Sequence, residues 1–193
     1  TYSIVDEDPR YDESSNILKT VEDTGCRSHL IGLEYKNIPE KLENLIKYHD
    51  SPIATITYFV HSLLIRKIKE DGIRVVISGT GADELFTGYY DHFLLHLHAT
   101  KDLDSHRAHL EHWSRYVKPL VRNENLKKYD LYIHNPLYRE HIYDGSERFS
   151  RYFIKEFKEA YEEKEYHPSL LRNRMLNELF HEVTPVILNE DDL

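Results

Sequence analysis

Cysteine is almost absent from the 193-residue chain, because Cys26 is its only cysteine. A single thiol excludes an internal disulfide framework and is typical of proteins of the reducing cytoplasm. Cys26 follows the predicted end of a helix. We expect it to be a buried or half-buried structural thiol rather than a nucleophile.

Long apolar runs and an excess of basic residues are also missing. No run approaches the length needed to span a bilayer, and the amino end has no signal-peptide pattern. The net charge is −9, whereas nucleic-acid binders usually carry a basic face. The sequence therefore predicts a cytoplasmic protein with no membrane or nucleic-acid partner. Its 40% hydrophobic content suits one globular domain, or slightly more.

Neither end of the sequence has the pattern expected of a natural terminus. The chain begins without Met on residues 1–5, which have the pattern of a core strand, and residues 189–193 show no stop signal. We therefore expect an internal piece of a longer protein. Self-association as a homodimer would cover strand edges exposed at such ends.

Strand and helix patterns alternate in the first half of the chain. Residues 2–5, 29–33 and 73–77 are predicted strands, the last of them a buried one. Alternation with helices implies an α/β fold with a parallel sheet and right-handed crossovers. The first helix has Ser14 or Ser15 as a predicted N-cap and Gly25 at its end. Asn37 and Pro39 indicate the start of the second helix. A long third helix is predicted over about 55–71, closed by Gly72.

The character of the chain changes after residue 91, where glycine and β-branched runs become rare. Residues 100–193 are predicted to be mainly helical, and residues 157–166 to form a solvated helix with i,i+4 charge pairs. Breaks are expected near Lys118–Pro119, Asn135–Pro136, Asp144–Gly145 and His167–Pro168.

The segment 75–90 has the pattern of a strand, a loop of small residues and a helix start. Gly79 and Gly81 would allow positive φ and a close ligand approach, at the place where open α/β sheets bind ligands. A lone Gly-x-Gly is weak evidence for one ligand. The alternative is a tight βα turn in which both glycines serve only chain geometry.

The complete string at 78–89, Ser-Gly-Thr-Gly-Ala-Asp-Glu-Leu-Phe-Thr-Gly-Tyr, is much more specific. It resembles the Ser-Gly-x-Gly-(Ala/Ser/Gly)-Asp-Glu-(Leu/Val)-Phe-x-Gly-Tyr signature of the asparagine synthetase family. That family is glutamine-dependent, and its synthetase domain activates a carboxylate with ATP and then amidates it. Residues 2–4, 11–14, 72–77 and 170–193 are also similar to family segments, whereas roughly 100–165 resembles only its variable helical region.

The resemblance implies an adenine nucleotide alpha hydrolase-like fold. Residues 1–99 would be a partial nucleotide-binding α/β portion of the synthetase domain, and residues 100–193 the helical portion of the same domain. The family's glutaminase domain, its pyrophosphate loop before Thr1 and its block after Leu193 are not in this sequence. Alone, the piece is expected to be inactive.

The resemblance also implies roles for single residues. Ser78, Gly79 and Gly81 would bind the nucleotide at the strand end, and Ile4 would lie against the adenine. Asp83 would hold Mg²⁺ on the ATP phosphates, since a hard cation prefers carboxylate oxygen. The ion would neutralise the pyrophosphate leaving group.

The rest of the signature suggests structural roles. Glu84 is assigned to complementing the helix dipole in preference to a role in the site. Leu85 and Phe86 are predicted core residues. Gly88 is interpreted as a backbone requirement.

Thr80 is the catalytic candidate that departs from the family pattern. Many asparagine-forming members have an acidic residue there, which is associated with forming the acyl-adenylate. A threonine hydroxyl cannot replace a carboxylate as a base at neutral pH. Thr80 therefore weakens the prediction that asparagine is the product more than it weakens the prediction of ATP-dependent amide formation. Related members close β-lactam rings, cyclise peptides or amidate cell-surface sugars.

The leading hypothesis is therefore a fragment of a glutamine-dependent amidotransferase. The full-length protein would adenylate a carboxylate, with aspartate as the first choice, and amidate it with ammonia from glutamine. The alternatives are a family member with a different acceptor and a catalytically inactive binding module, for which Thr80 is the best support.

Histidine clusters offer a separate hypothesis, because two histidines at i,i+4 on a helix can bind a transition metal. The second cluster rotates around a helix, and neither has a neighbouring Cys or convincing carboxylate partner. Solvated surface histidines are the preferred interpretation. The two clusters are His92, His96 and His98, followed by His106, His109 and His112.

Overall fold

The computed structural model describes residues 1–143, 146–156 and 161–191. The chain divides into two compact units. We call Thr1–Ser78 with Val186–Leu193 the strand unit, and Gly79–Pro185 the helical unit.

The strand unit contains a two-stranded parallel sheet. Strands β1 (Tyr2–Val5) and β2 (His29–Gly32) pair in the register that places Tyr2 opposite His29. The predicted mixed α/β class with parallel pairing is thereby confirmed. Helix α1 (Ser14–Thr24) connects the two strands along the chain.

The end of α1 was predicted correctly, but its start was not. Gly25 terminates the helix with φ 66°, a left-handed conformation that favours glycine. The N-cap is Glu13 rather than Ser14 or Ser15. The reason is local, because the Asp12 side chain accepts hydrogen bonds from the Ser14 backbone N–H at 3.0 Å and from its hydroxyl at 2.9 Å.

Two further helices complete the regular structure of the strand unit, α2 (Ile38–His49) and α3 (Ile56–Glu70). Asn37 precedes α2 as predicted, without a side-chain cap bond. Thr55 caps α3, where its hydroxyl accepts a hydrogen bond from the Tyr58 backbone at 3.3 Å. Helix α3 packs against β1 and α2 and supplies the buried apolar residues of this unit, Tyr58, Phe59 and Ile68.

The predicted third strand does not form. Residues 73–77 have no regular secondary structure, and Val75 and Ile77 are 82% and 96% exposed. A β-branched run becomes a strand only where another backbone pairs with it, and in the described part of the chain β1 and β2 pair with each other. The prediction of a buried thiol is also wrong, because Cys26 is exposed.

The helical unit confirms the predicted helical second half. It begins with α4 (Ala82–Phe86) and α5 (Tyr90–Ala99). Its remaining segments are α6 (His106–His112), a π-helical turn (Trp113–Val117), 3₁₀ turns at Lys118–Leu120, Glu124–Lys127 and Glu140–Tyr143, α7 (Tyr129–His134), α8 (Ser146–Ser150) and α9 (Leu170–His181). Helix α10 (Val183–Asp191) runs across the boundary between the units.

The predicted helix breaks have mixed outcomes. Asn135 ends α7 and His167–Pro168 precede α9, as expected. At Lys118–Pro119 the chain tightens into a 3₁₀ turn instead of leaving the helix, since proline is tolerated in the first positions of a helical turn. Asp144–Gly145 lies outside the described residues.

The predicted solvated helix at 157–166 is wrong for its described part. Residues 161–166 are irregular, and residues 157–160 lie outside the described part of the chain. Instead, asparagine side chains on α9 form hydrogen bonds with the backbone of this segment. Asn177 accepts from the Lys164 N–H at 2.9 Å, and Asn173 accepts from the Tyr166 N–H at 2.7 Å.

Helix α5 lies at the centre of the helical unit and contacts α6, α7 and α9. Its leucines join aromatic residues from later segments in one apolar cluster, formed by Leu94, Leu97, Trp113, Val121, Leu126 and Tyr132. Among the described residues, no helix is long and apolar enough to cross a membrane.

Candidate functional site

The signature loop at 78–89 contains two glycines with different backbone conformations, Gly79 and Gly81. Gly81 has φ 91° at the N-cap of α4, so that position favours glycine, and its carbonyl accepts from the Leu85 N–H at 3.0 Å. Gly79 does not have positive φ, and a Cβ there would meet nothing within 4 Å. An added Cβ at Gly81 would likewise meet nothing within 4 Å, so the two glycines differ in backbone conformation and not in the space beside them.

Asp83 presents an exposed carboxylate in the first turn of α4. Within the described part of the chain, this side chain makes no hydrogen bond or ion pair. It lies against Gly88, where an added Cβ would be 1.6 Å from Asp83 Oδ1. A side chain at position 88 would therefore displace the Asp83 carboxylate from this place. An uncommitted carboxylate fits Mg²⁺, which is commonly held by one or two carboxylates together with substrate phosphates.

Glu84 is buried and has a partner, Tyr89, that the sequence did not reveal. The Tyr89 hydroxyl donates a hydrogen bond of 2.6 Å to Glu84 Oε1, and Glu84 is 3% exposed. Burial and this bond raise the pKa of Tyr89, which keeps the phenol protonated. Glu84 still stands in the first turn of α4, where an acidic residue is favoured by the helix dipole.

The prediction that Leu85 and Phe86 are core residues is wrong, since they are 55% and 80% exposed. Helix α4 has only five residues and ends at Thr87 in a left-handed conformation with φ 65°. Its buried side is occupied by Glu84, which leaves both apolar side chains on the surface.

The predicted site residues fall into two groups. Gly79, Thr80, Gly81 and Asp83 lie together in one turn at the start of the helical unit. Ile4 is half-buried in β1, opposite Ile31, and belongs with Ser78 to the strand unit. The ligand-binding and catalytic roles of all these residues stay predictions.

A partly buried charge cluster lies elsewhere in the helical unit, centred on Arg174 of α9. We call it the Arg174 cluster; it comprises Asp91, Arg139, Glu163, Arg174, Glu178 and Glu182. The guanidinium is bonded to Glu163 at 2.5 Å, to Glu182 at 2.7 Å and to Glu178 at 2.9 Å. Spacing along α9 explains part of this geometry, because residues at i,i+4 share one helix face.

Burial and charge oppose each other in this cluster. Burial alone would lower the pKa of Arg174, but its hydrogen bond to Glu182 and the negative charge of Glu178 raise that pKa well above its ordinary value. Burial raises the pKa of Glu178. Burial also disfavours ionised Glu182, but its bonds to Arg174 prevail and lower the pKa of that carboxyl. Arg174 is thus a fixed cation that holds several carboxylates.

His92 contradicts the interpretation of solvated histidines. It is fully buried, and its Nε2 lies 2.7 Å from Glu178 Oε2. His96 and His112, in contrast, are exposed as expected. Glu178 stands 86 residues further along the chain, so no local pattern could identify this partner.

Asp91, His92 and Glu178 also bring three potential metal ligands within 4.8 Å of one another. Both Glu178 oxygens are already engaged, one by His92 and the other by Arg174. A guanidinium in this place supplies the positive charge that an ion would bring. We therefore interpret the group as part of the Arg174 cluster rather than as a metal centre.

Asn177 is another buried residue that sequence reasoning missed. Its amide accepts from the Tyr161 hydroxyl at 2.6 Å and donates to the Lys164 carbonyl at 2.9 Å. The sequence signal on the predicted helix was the spacing of polar residues at 174, 178 and 182. That spacing concerns the Arg174 cluster and does not include Asn177. Neither Tyr161 nor Lys164 could be identified from this spacing as a partner of Asn177.

Comparison with known proteins gives matches at two levels. Residues 1–185 match the Asn_synthase family, described as asparagine synthase. Amidase chyE of Penicillium rubens is 30% identical over 84 residues, and amidase chry2 of Gibberella zeae is 29% identical over 84 residues. Each alignment covers 44% of this chain and 12% of the relative. No solved structure matches. Because the family match extends over nearly all of the sequence, the chain belongs to the asparagine synthase family.

Proposed function

We propose that this chain is part of an ATP-dependent enzyme that adenylates a carboxylate and amidates it with ammonia derived from glutamine. The observation that carries the proposal is the family match over residues 1–185, which includes the complete signature at 78–89. Adenylation divides one difficult amidation into two easier steps. Aspartate is the acceptor that we would test first, and the proposed fold is adenine nucleotide alpha hydrolase-like.

The signature loop would form part of the nucleotide site. Ser78, Gly79 and Gly81 would contact ATP, and Ile4 would pack against the adenine. The match of these loop residues to the family signature supports this assignment. Asp83 would hold Mg²⁺, in agreement with its exposed carboxylate. When bound, Mg²⁺ would neutralise charge on the pyrophosphate leaving group.

A second candidate is a family member with a different acceptor, such as a cell-surface sugar, a β-lactam precursor or a peptide. Two observations favour it. Thr80 offers a hydroxyl where many asparagine-forming members have a carboxylate, and a hydroxyl cannot serve as a carboxylate base. The curated relatives are named amidases rather than asparagine synthetases.

The test is pyrophosphate release by the full-length protein, supplied with ATP, Mg²⁺ and glutamine, with and without aspartate. Release that depends on aspartate, with asparagine as product, would support the first candidate. Glutamine hydrolysis without any response to aspartate would favour a different acceptor. If folded protein does neither, both enzyme candidates fail and the inactive binding module is favoured.

A further inference from the structure

A cavity of about 280 Å³ lies in the helical unit beside the Arg174 cluster. Helices α5, α7 and α9 contribute to its wall, together with residues 136–141 and 161–163. Ligand pockets usually measure roughly 300–1,000 Å³, so this one suits a ligand of only a few heavy atoms.

One wall of the cavity carries a carboxylate that has no hydrogen-bond donor. Asp91 stands in the first turn of α5, and its side chain is 10% exposed. Its Oδ2 is paired with Arg174 Nε at 3.7 Å, which exceeds hydrogen-bond length. Within the described part of the chain, the Asp91 side chain makes no hydrogen bond. Because a buried carboxylate without donors is costly, a ligand that donates to Asp91 would be favoured.

The two arginines at the cavity are already committed to other carboxylates. Arg139 donates to Glu163 at 2.9 Å and to Glu182 at 3.2 Å. Arg174 is bonded to Glu163, Glu178 and Glu182. Neither guanidinium therefore offers an obvious site for a ligand anion.

Charge counting favours a cation in the cavity. The Arg174 cluster contains four carboxylates, those of Asp91, Glu163, Glu178 and Glu182, and two guanidinium groups. Burial raises the pKa of Glu178, whereas the hydrogen bond to His92 and the charge of Arg174 act in the opposite direction. Burial lowers the pKa of His141 at the cavity wall, so that ring does not add a positive charge at neutral pH.

The remaining walls are aromatic and apolar. Tyr132 and Tyr138 stand edge to face with their ring centroids 5.8 Å apart, and Leu95 and Leu170 line the same cavity. Aromatic faces attract a desolvated cation, and apolar side chains favour a hydrocarbon stem. An inorganic cation would leave these walls unused.

We propose that this cavity binds a small organic amine, with its primary ammonium on the Asp91 carboxylate and a short apolar stem against Tyr132 and Leu170. The site goes beyond the proposed amidation. It requires neither ATP nor glutamine, and it involves no residue of the signature loop.

The test is calorimetric titration of the full-length protein with n-butylammonium chloride, at constant ionic strength and without nucleotide. 1-Butanol and sodium butanoate are the uncharged and anionic comparison ligands. We expect saturable binding of n-butylammonium, at least about tenfold tighter than binding of 1-butanol, and no binding of butanoate. Equal binding of the amine and the alcohol, or preference for butanoate, would overturn the proposal. Equal competition by ammonium chloride would do the same, since it would indicate an inorganic cation site.

Two variants locate the site. Asp91→Asn should weaken n-butylammonium binding by at least about tenfold, whereas Glu111→Gln, at an exposed position, should leave it unchanged. Leu170→Phe keeps every charge but fills the cavity, and it should also weaken binding. If Asp91→Asn does not fold, the Leu170→Phe result decides. Unchanged affinity in a folded Leu170→Phe variant would place the amine elsewhere and reject the proposal.

Failure of this proposal can be distinguished from failure of the proposed function. Protein that binds n-butylammonium but releases no pyrophosphate would retain the amine site and reject the amidation. Protein that shows amidation but does not bind the amine would give the reverse conclusion.

Discussion

The two units of the chain differ most in what they bury. In the strand unit, the buried apolar side chains among the described residues are those of Tyr58, Phe59 and Ile68 on α3. The helical unit has a larger apolar cluster on α5 and later segments, and it also buries Glu84, Asp91, His92, Asn177 and Glu178. Since burial of apolar surface is the main driving force of folding, stability should be concentrated in the helical unit.

The two units also differ in their polar interactions and in the apolar side chains that they expose. The Arg174 cluster joins residues that are distant in sequence, from Asp91 to Glu182. In the strand unit, in contrast, Val75, Val76 and Ile77 form a consecutive run of exposed β-branched side chains. The comparison teaches that a polar network can connect helical segments that lie outside the signature motif.

The largest effect is expected from Arg174→Leu. Removing the guanidinium leaves the buried Glu178 without a cation and leaves Glu182 with Arg139 alone, which should lower the free energy of unfolding by about 3–5 kcal/mol. Urea denaturation followed by the fluorescence of Trp113, the only tryptophan of the chain, measures this change. The matched control is Arg172→Leu on the same helix, where the exposed side chain should matter by less than about 0.5 kcal/mol. Equal effects of the two substitutions would contradict the central role of Arg174.

The charge cluster should also make stability depend on pH. The pKa of Glu182 is lowered in the folded state, where its bonds to Arg174 outweigh burial, so its stabilising contribution exists above the unfolded glutamate pKa of about 4.3. That contribution is lost as the pH falls through the folded-state pKa. Glu182→Gln should therefore cost about 1.5–3 kcal/mol at pH 7 and progressively less toward pH 3. Urea denaturation across this range, with the exposed Glu165→Gln variant as control, measures the difference. A difference independent of pH would refute the assignment.

A smaller effect is expected from Tyr89→Phe at the edge of the signature. The change removes the donor to Glu84 and leaves a buried carboxylate oxygen without that partner, at a cost of about 1–3 kcal/mol. Thermal unfolding monitored by Trp113 fluorescence provides the measurement. Tyr116→Phe, at a position 58% exposed, is the matched control and should be nearly neutral. A neutral Tyr89→Phe would show that the Glu84 contact does not stabilise the fold.

The smallest effect is expected in the strand unit at Ile77. Because this side chain is 96% exposed, Ile77→Ala should change the free energy of unfolding by no more than about 0.5 kcal/mol. Ile68→Ala, at a position 4% exposed, should cost about 2–5 kcal/mol. Far-ultraviolet circular dichroism during urea denaturation reports both. A large loss for Ile77→Ala would mean that residues 73–77 are buried after all, and would remove the contrast between the units.

Features fixed by local chemistry were predictable in part, since the end of α1 was predicted correctly but its N-cap was not. Gly25 ends α1 because of its left-handed conformation, and Thr55 caps α3 through its own hydroxyl. Features that depend on distant partners were not. Residues 73–77 have the composition of a strand but no pairing neighbour, and His92 finds its carboxylate 86 residues away.

The candidate site shows the same division. The signature at 78–89 identified the family, and the positive φ of Gly81 agrees with the need for glycine there. The burial of Glu84 and the exposure of Phe86 depend on how α4 ends, which the motif does not specify. The Arg174 cluster was not predicted, because its members come from several segments of the chain.

The most direct test of the central claim is Asp83→Asn in the full-length protein, assayed for pyrophosphate release over a range of Mg²⁺ concentrations. Asp102→Asn, at another exposed position of the helical unit, is the control. If the signature loop binds Mg²⁺ with ATP, Asp83→Asn should lower the rate roughly tenfold or more, a loss of about 1.4 kcal/mol of transition-state stabilisation, with partial recovery at high Mg²⁺. An active, folded Asp83→Asn protein with an unchanged Mg²⁺ dependence would contradict the account.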